Sequence, residues 1–184
     1  MAESPTFASP VSPTPSARES EVSLSDCSGT AMVLLRADPD GDLAASIGVR
    51  YGASRVAEGV TISGQRPGAW ALTGDSVAVH ALVASLEVTE DAHSVDVTHG
   101  VALLRLRGAL AAATLEKICG LDWSESMMPD GAVVSGSVAL VLCHILRQDD
   151  HGAPSYHISC ERSYGSYLFE AILDAGAEFG ITVR

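Results

Sequence analysis

Six histidines and four cysteines are the side chains best suited to hold a metal, so their spacing is the first question. His144 and His157 fall on two neighbouring strand candidates, with Cys143 and Cys160 beside them. Adjacent residues of a strand point to opposite faces, so Cys143 and His144 reach a common ion only through a bulge. No pair stands at i, i+4 on a helix, and no carboxylate lies at ligand spacing. The histidines therefore read as packed or exposed side chains. Cys27, Cys119, Cys143 and Cys160 form no CxxC pair and read as buried thiols of a reducing compartment.

Acid–base and nucleophilic groupings are equally sparse. Asp149 and Asp150 sit in a turn, where aspartate binds backbone donors. Asp96 and Thr98 share the polar face of a strand, either as a ligand site or as a solvated surface. Ser76, Ser137 and Ser166 stand in no GxSxG elbow. The glycines form neither GxGxxG nor GxxxxGK, so a nucleotide lacks its usual phosphate cradle.

Two features remain. The connection Gly120 to Ala132 carries Trp123, Met127 and Met128. Large adaptable side chains in a loop serve as partner contacts or fold back onto the sheet. Arg162 and Tyr164 open the last helix, where the guanidinium either meets a carboxylate or phosphate or stays a surface charge.

The elements that must position these residues are readable from hydropathy. Ala31–Arg36 is a strand candidate, followed by the turn Asp38-Pro39-Asp40-Gly41 and a short helix capped by Asp42 and stopped near Gly48. Val60–Ser63 and Ala69–Leu72 flank the hairpin segment Gln65-Arg66-Pro67-Gly68. Val79, Leu82, Val83 and Leu86 fall at helical spacing, and Val95 and Val97 alternate with polar residues as in a half-buried strand. The order then recurs. Val101–Arg107 is a strand, and Ala111, Ala112, Leu115, Ile118 and Cys119 mark a helix. Val138–Leu146 and Tyr156–Cys160 are strands. Tyr164, Tyr167, Leu168, Ala171, Ile172 and Ala175 form a last helix capped by Ser163, and Ile181–Val183 closes.

Each half thus reads βαββαβ, and the expected fold is α+β with two ferredoxin-like halves, about 31–99 and 100–184. Residues 1–30 are rich in serine and proline and read as a flexible tail, or as an arm that orders on a partner subunit.

Composition limits the function further. The 184 residues are 47% hydrophobic and 18% charged, which suits one good core or two small ones and excludes a disordered chain or a coiled coil. No apolar run approaches the ~20 residues of a membrane span, and the first residues do not read as a secretory signal. Eleven basic residues against 23 acidic ones give a formal charge of -12. Such a surface repels nucleic acid and anionic lipid. The expected location is cytoplasmic.

The order of segments also carries a family resemblance. Asp96-Val97-Thr98-His99, Leu104-Arg105-Leu106-Arg107-Gly108, Lys117-Ile118-Cys119 and Leu121-Asp122 resemble the gamma subunit of heterotetrameric sarcosine oxidase. So do Met128-Pro129-Asp130-Gly131 before a hairpin, Arg162-Ser163-Tyr164 with Leu168, and Pro67-Gly68-Ala69-Trp70 with Leu72 and Gly74. That family is similar in fold to the folate-binding domain of the glycine cleavage T-protein. The T-protein pattern places paired aspartates at the second-half hairpin, where this chain has Gly136-Ser137-Val138-Ala139-Leu140-Val141 and no acid.

The resemblance implies a non-catalytic subunit of a complex that oxidatively demethylates sarcosine. The products would be glycine, hydrogen peroxide and formaldehyde, or methylenetetrahydrofolate when folate takes the methyl carbon. FAD, FMN, NAD and tetrahydrofolate are then expected on partner subunits and none on this chain. The partners would be alpha, beta and zinc-carrying delta subunits. On this reading the chain has no catalytic, cofactor-binding or metal residues of its own, and Trp123, Met127, Met128, Arg162 and Tyr164 are candidate interface residues. The alternative is a freestanding folate-binding aminomethyltransferase-like protein.

Overall fold

The computed structural model describes residues 7–11, 21–86 and 92–184. The tail residues 1–6 and 12–20 lie outside the described residues. Eleven strands and four helices are described. They are β1 (Ser23–Asp26), β2 (Ala31–Arg36), α1 (Asp42–Ile47), β3 (Ser54–Ala57), β4 (Val60–Arg66), β5 (Ala69–Gly74), α2 (Ser76–Ser85) and β6 (His93–Asp96), then β7 (Val101–Arg107), α3 (Ala111–Glu116), β8 (Val133–Val138), β9 (Val141–Arg147), β10 (Ser155–Glu161), α4 (Gly165–Gly176) and β11 (Thr182–Val183). None of these helices is long and apolar enough to cross a membrane.

The strands form a five-stranded sheet ordered β3-β4-β5-β2-β6 and a six-stranded sheet ordered β11-β1-β7-β10-β9-β8. The α+β architecture with two βαββαβ halves is therefore present, with three added strands. β3 and β8 extend corresponding edges, and β1 inserts between β7 and the closing strand β11. Helices α1 and α2 cover one face of the first sheet, where Leu43, Ile47 and Val79 meet Val33, Leu35, Ile62, Trp70 and Leu72. Helices α3 and α4 cover the second, where Leu115, Leu168 and Ile172 meet Leu24, Leu104, Leu106, Ile145 and Ile158. The two uncovered sheet faces meet through a thin apolar contact of Met32, Ala71 and Leu103.

Local chemistry explains most boundaries. The expected Asp42 cap of α1 is not formed: Gly41 holds the cap position without a side-chain bond, Asp42 is the first helical residue, and Gly48 ends the helix in the left-handed region at φ 62°. The Asp75 carboxylate accepts from Val77 and Ala78 and caps α2. Gly68, at φ 68°, turns the β4–β5 hairpin, and a Cβ there would lie 2.3 Å from the Ala37 carbonyl oxygen.

Further expectations are corrected. Ser23–Asp26, assigned to the tail, is a strand whose Leu24 is fully buried; pairing on both sides outweighs its serine-rich composition. Residues 7–11 also lie on the chain itself: Pro10 sits beside Gly165 and its carbonyl accepts from the Ser166 hydroxyl at the start of α4, and Phe7 lies against His99 and Arg162. The single strand expected over Val138–Leu146 is instead the end of β8, a two-residue turn and β9. Strand β6 is not half-buried, because it is an edge strand and all four of its residues are exposed. Finally, Ser163 makes no cap for α4. A 3-10 turn, Arg162–Tyr164, leads into that helix, and Tyr164 and Tyr167 face outward, off the expected apolar stripe.

Candidate functional site

A wide cleft opens between the two sheets. Strand alternation sets its walls. On β2 the odd-numbered Val33 and Leu35 go to the helix-side core, which leaves Met32 and Leu34 on the inter-sheet face. On β9, Val141, Cys143 and Ile145 go to the other core, which leaves Leu142 and His144 on that face. A cleft of about 570 Å³ results, with Arg66, Leu140, Leu142, His144, Glu161 and Tyr164 among its lining. Gln65, His144 and Ser159 continue from it into a small space between the sheets, lined about equally by polar and apolar residues, that also touches His157.

The hydrogen bonds in the cleft fix its groups in place. Ser135 Oγ lies 2.7 Å from His144 Nδ1, and Ser159 Oγ donates to the His144 carbonyl. Burial and the nearby Arg66 guanidinium lower the His144 pKa, so this imidazole is neutral near pH 7. Burial and Arg105 hold His157 down to about 4. Glu161 is the one carboxylate among the described lining residues. The cleft thus combines an apolar mouth of Leu140, Leu142 and Tyr164 with the polar groups Gln65, His144 and Ser159 and the charged Arg66 and Glu161, a set suited to recognition more than to acid–base work.

The expected interface residues separate into three groups. Trp123 and Met128 are only 4% and 1% exposed and belong to the second core. Of the two readings of this loop, partner contact or return onto the sheet, these two residues follow the second and are not exposed interface candidates, since the Gly120–Ala132 connection lies back over the helix side of its sheet. Arg162 is tied to the arm: its guanidinium donates to the Ala8 carbonyl and lies 5.3 Å from the Phe7 ring centre. Met127 and Tyr164 are exposed, and only Tyr164 reaches the cleft.

Other candidates resolve into structural roles. The Asp96 carboxylate accepts from the Thr98 N–H, which, with the Thr98 side chain, lowers its pKa. The Thr98 hydroxyl in turn accepts from the Met32 N–H, so the pair stitches β6 to β2. Asp149 binds Arg147 and Asp150 binds Arg105. His144 stands opposite Ser159, and His157 opposite Leu146. Among the described residues, no group of three His, Cys, Asp or Glu side chains is placed to hold a metal. Hydrogen bonding with Cys160, and then burial, pushes the Cys143 thiol up.

Sequence reasoning missed Gln65, Leu140, Leu142 and Ser159. One signal was present: inward residues run 134, 136, 138 and then 141, 143, 145. A three-residue step in a period of two marks a chain reversal at Ala139-Leu140.

Comparison with known proteins places this architecture. Among curated proteins none matches. The fold is similar to a chain of the heterotetrameric sarcosine oxidase from Corynebacterium sp. U-96 in complex with pyrrole 2-carboxylate. That match has a TM-score of 0.76 and 23% identity over 90% of this chain and 88% of the other. It is also similar to the glycine cleavage system aminomethyltransferase T from Bartonella henselae, with a TM-score of 0.67 and 16% identity over 89% of this chain. Only 48% of that transferase is covered, so the chain spans about half its length. The family model of the GCVT N-terminal domain matches residues 53–183, well over half of the sequence, and the chain belongs to that family.

Proposed function

We propose that this chain is the small, non-catalytic gamma-type subunit of a heterotetrameric sarcosine oxidase-like complex. The complex would convert sarcosine to glycine, hydrogen peroxide and formaldehyde, or methylenetetrahydrofolate when folate is present. The observation that carries the reading is the match to one chain of such a complex over nearly all of both chains. The aminomethyltransferase match, in contrast, covers under half of that protein. Alpha, beta and delta chains are the partners, and FAD, FMN, NAD and tetrahydrofolate are assigned to them.

The residues of this chain do not fit a self-contained folate reaction. The second-half hairpin, where the T-protein pattern has aspartates, runs from Gly136 to Val141 with Ala139 and Leu140 as its turn residues. No carboxylate is available there to meet a folate amine. No step of the reaction is therefore assigned to this chain, whose role is to shape and hold the assembly in the cytoplasm.

Co-expression with the larger flavoprotein chains of the complex tests this. The chain alone should be colourless and inactive towards sarcosine, and should co-elute with flavin absorbance when the partners are present. Flavin binding or peroxide production by the isolated chain would overturn the reading. Saturable tetrahydrofolate binding to the isolated chain in calorimetry would favour the freestanding transferase instead.

A further inference from the structure

We infer that the β8–β9 hairpin tip, with Leu142, Tyr164 and Tyr167, is the surface on which this chain docks its partner. The partner we assign to it is a protein segment presenting an apolar anchor flanked by lysine or arginine. This rests on the reading of the chain as a subunit and specifies which surface does that work.

Leu140 is the starting point. It is 93% exposed at φ 70°, next to Ala139 at φ 46°. A two-residue turn with both residues at positive φ is normally built from asparagine and glycine. A leucine there strains the backbone and buries nothing within the chain, so the fold itself gives no account of it.

The tip is also held still. The Ala139 N–H donates to the Ile118 carbonyl at 2.8 Å, and the Ala139 carbonyl accepts from the Tyr167 hydroxyl at 3.1 Å. A hydrophobic group on a fixed platform loses little freedom when a partner covers it.

Its neighbours make the patch continuous. Leu142 is 64% exposed, and Leu140, Leu142 and Tyr164 line the same cleft. Tyr167 follows Tyr164 by three residues on the outer face of α4. Four of the nine exposed large hydrophobic residues among the described residues gather here, while Tyr51, Val56, Val77, Val95 and Met127 are distributed over other parts of the chain. Contiguous apolar surface next to a concavity is the usual mark of a partner site.

Charge decides what kind of partner fits. Glu161 precedes the patch, and Glu170 and Asp174 follow Tyr167 at i+3 and i+7 on the exposed side of α4. None of these three carboxylates is ion-paired among the described residues, in a chain whose net charge is -12. Arg66 is the one arginine among the described residues lining the cleft and comes from the other sheet, so the acidic margin is that of the α4 side; there the apolar centre is complementary to an apolar anchor with a basic margin.

The test uses the full chain co-expressed with the flavoprotein chains of the proposed complex. The variants are Leu140→Asp, the pair Glu170→Lys and Asp174→Lys, and a control, Val77→Asp, on exposed α2. Aspartate tolerates the left-handed region, so Leu140→Asp leaves the turn intact, and an unchanged unfolding curve of the isolated chain checks this. Leu140→Asp should reduce co-elution by more than about tenfold, the charge reversals should weaken it and lessen its salt sensitivity, and Val77→Asp should have no effect. If the wild type assembles and Leu140→Asp assembles equally well, the docking surface is wrong while the subunit reading stands. If the wild type fails to assemble, both fall. A homodimer of the isolated chain that Leu140→Asp dissolves would make the patch a self-interface and overturn the inference.

Discussion

Trp123 stands edge-on to Tyr156, with ring centres 5.4 Å apart and planes at 87°. This contact pins the long β7–β8 connection to the helix side of its sheet, because Tyr156 is itself buried on β10. Removing a buried aromatic leaves a cavity that surrounding residues refill only in part. Trp123→Ala should therefore destabilise the monomer by about 3–5 kcal/mol in urea unfolding. Trp123→Phe should cost far less, because the indole N–H is buried without a hydrogen-bond partner and its loss removes that penalty. If instead Trp123→Ala unfolds like the wild type but fails to assemble, the residue is a contact and not a core member.

The Ala139-Leu140 turn trades stability for exposure of a leucine. Each non-glycine residue held in the left-handed region costs roughly 1–2 kcal/mol. Replacing the pair with asparagine and glycine, as Ala139→Asn with Leu140→Gly, should raise stability by about 1–2 kcal/mol in thermal unfolding. The same double variant should assemble worse than the wild type. A gain in stability with full assembly would mean that the exposed leucine serves no partner.

The sequence made the helices and the β4–β5 hairpin legible because each has a local physical signature. Examples are the αL glycine after α1, the helical spacing of α2 and α4 and the Pro67-Gly68 turn. What stayed hidden depended on distant partners. Nothing local in Ser23–Asp26 announces a strand, since its order comes from pairing with β7 and β11, far along the chain. Whether Trp123 and Met128 were partner contacts or folded back stayed open, because loop residues reveal their burial only once the loop's path is known. The docking tip was obscured for the opposite reason: Ala139-Leu140 reads as strand interior, and only the broken alternation around it betrays a turn.

Strand β1 yields a sharp prediction about the N-terminal region. It fills the gap between β7 and β11, with Leu24 completely buried. Gly108 allows the chain leading into β1 to approach this closely, since a Cβ there would lie 2.0 Å from the Glu21 carbonyl oxygen. A truncated chain beginning at Ala31 should be insoluble or rapidly cleaved in limited proteolysis, and Leu24→Asp should behave likewise. A stable, cooperatively folding truncation would show that this stretch is dispensable after all.

Arg147 anchors the second hairpin to the loop beneath it. Its side chain is only 7% exposed and binds both Asp149 oxygens at 2.9 Å, together with Glu125 and the Met128 carbonyl. Breaking such a group by removing one partner leaves buried polar atoms unpaired. Arg147→Ala should cost about 3 kcal/mol in urea unfolding, and Arg147→Lys should recover part of this by keeping the charge without the fork. Hydrogen bonds from Arg147 hold the Asp149 carboxyl below its ordinary value. Its contribution is present above the unfolded value of ~3.9 and is lost as pH falls through the lowered folded value. The Arg147 variants should therefore lose less stability than the wild type below about pH 4.

His157 controls a different pH window. It lies on the inter-sheet face of β10, where burial and Arg105 hold its pKa down to about 4. The unfolded chain, with an ordinary value of ~6.5, binds a proton that the folded chain refuses between those two values. Stability therefore falls as pH is lowered from about 6.5 to about 4, by roughly 2–3 kcal/mol after allowance for partial exposure. His144, lowered for the same reason and by Arg66, adds to the loss with the same sign. His157→Gln keeps a neutral polar group of similar reach, so its stability at pH 7 should stay near the wild type while most of the slope between pH 6.5 and 4 disappears. Urea unfolding at intervals across that range measures the slope directly. An unchanged slope in His157→Gln would mean that the imidazole protonates freely in the folded chain and that the space between the sheets is wet.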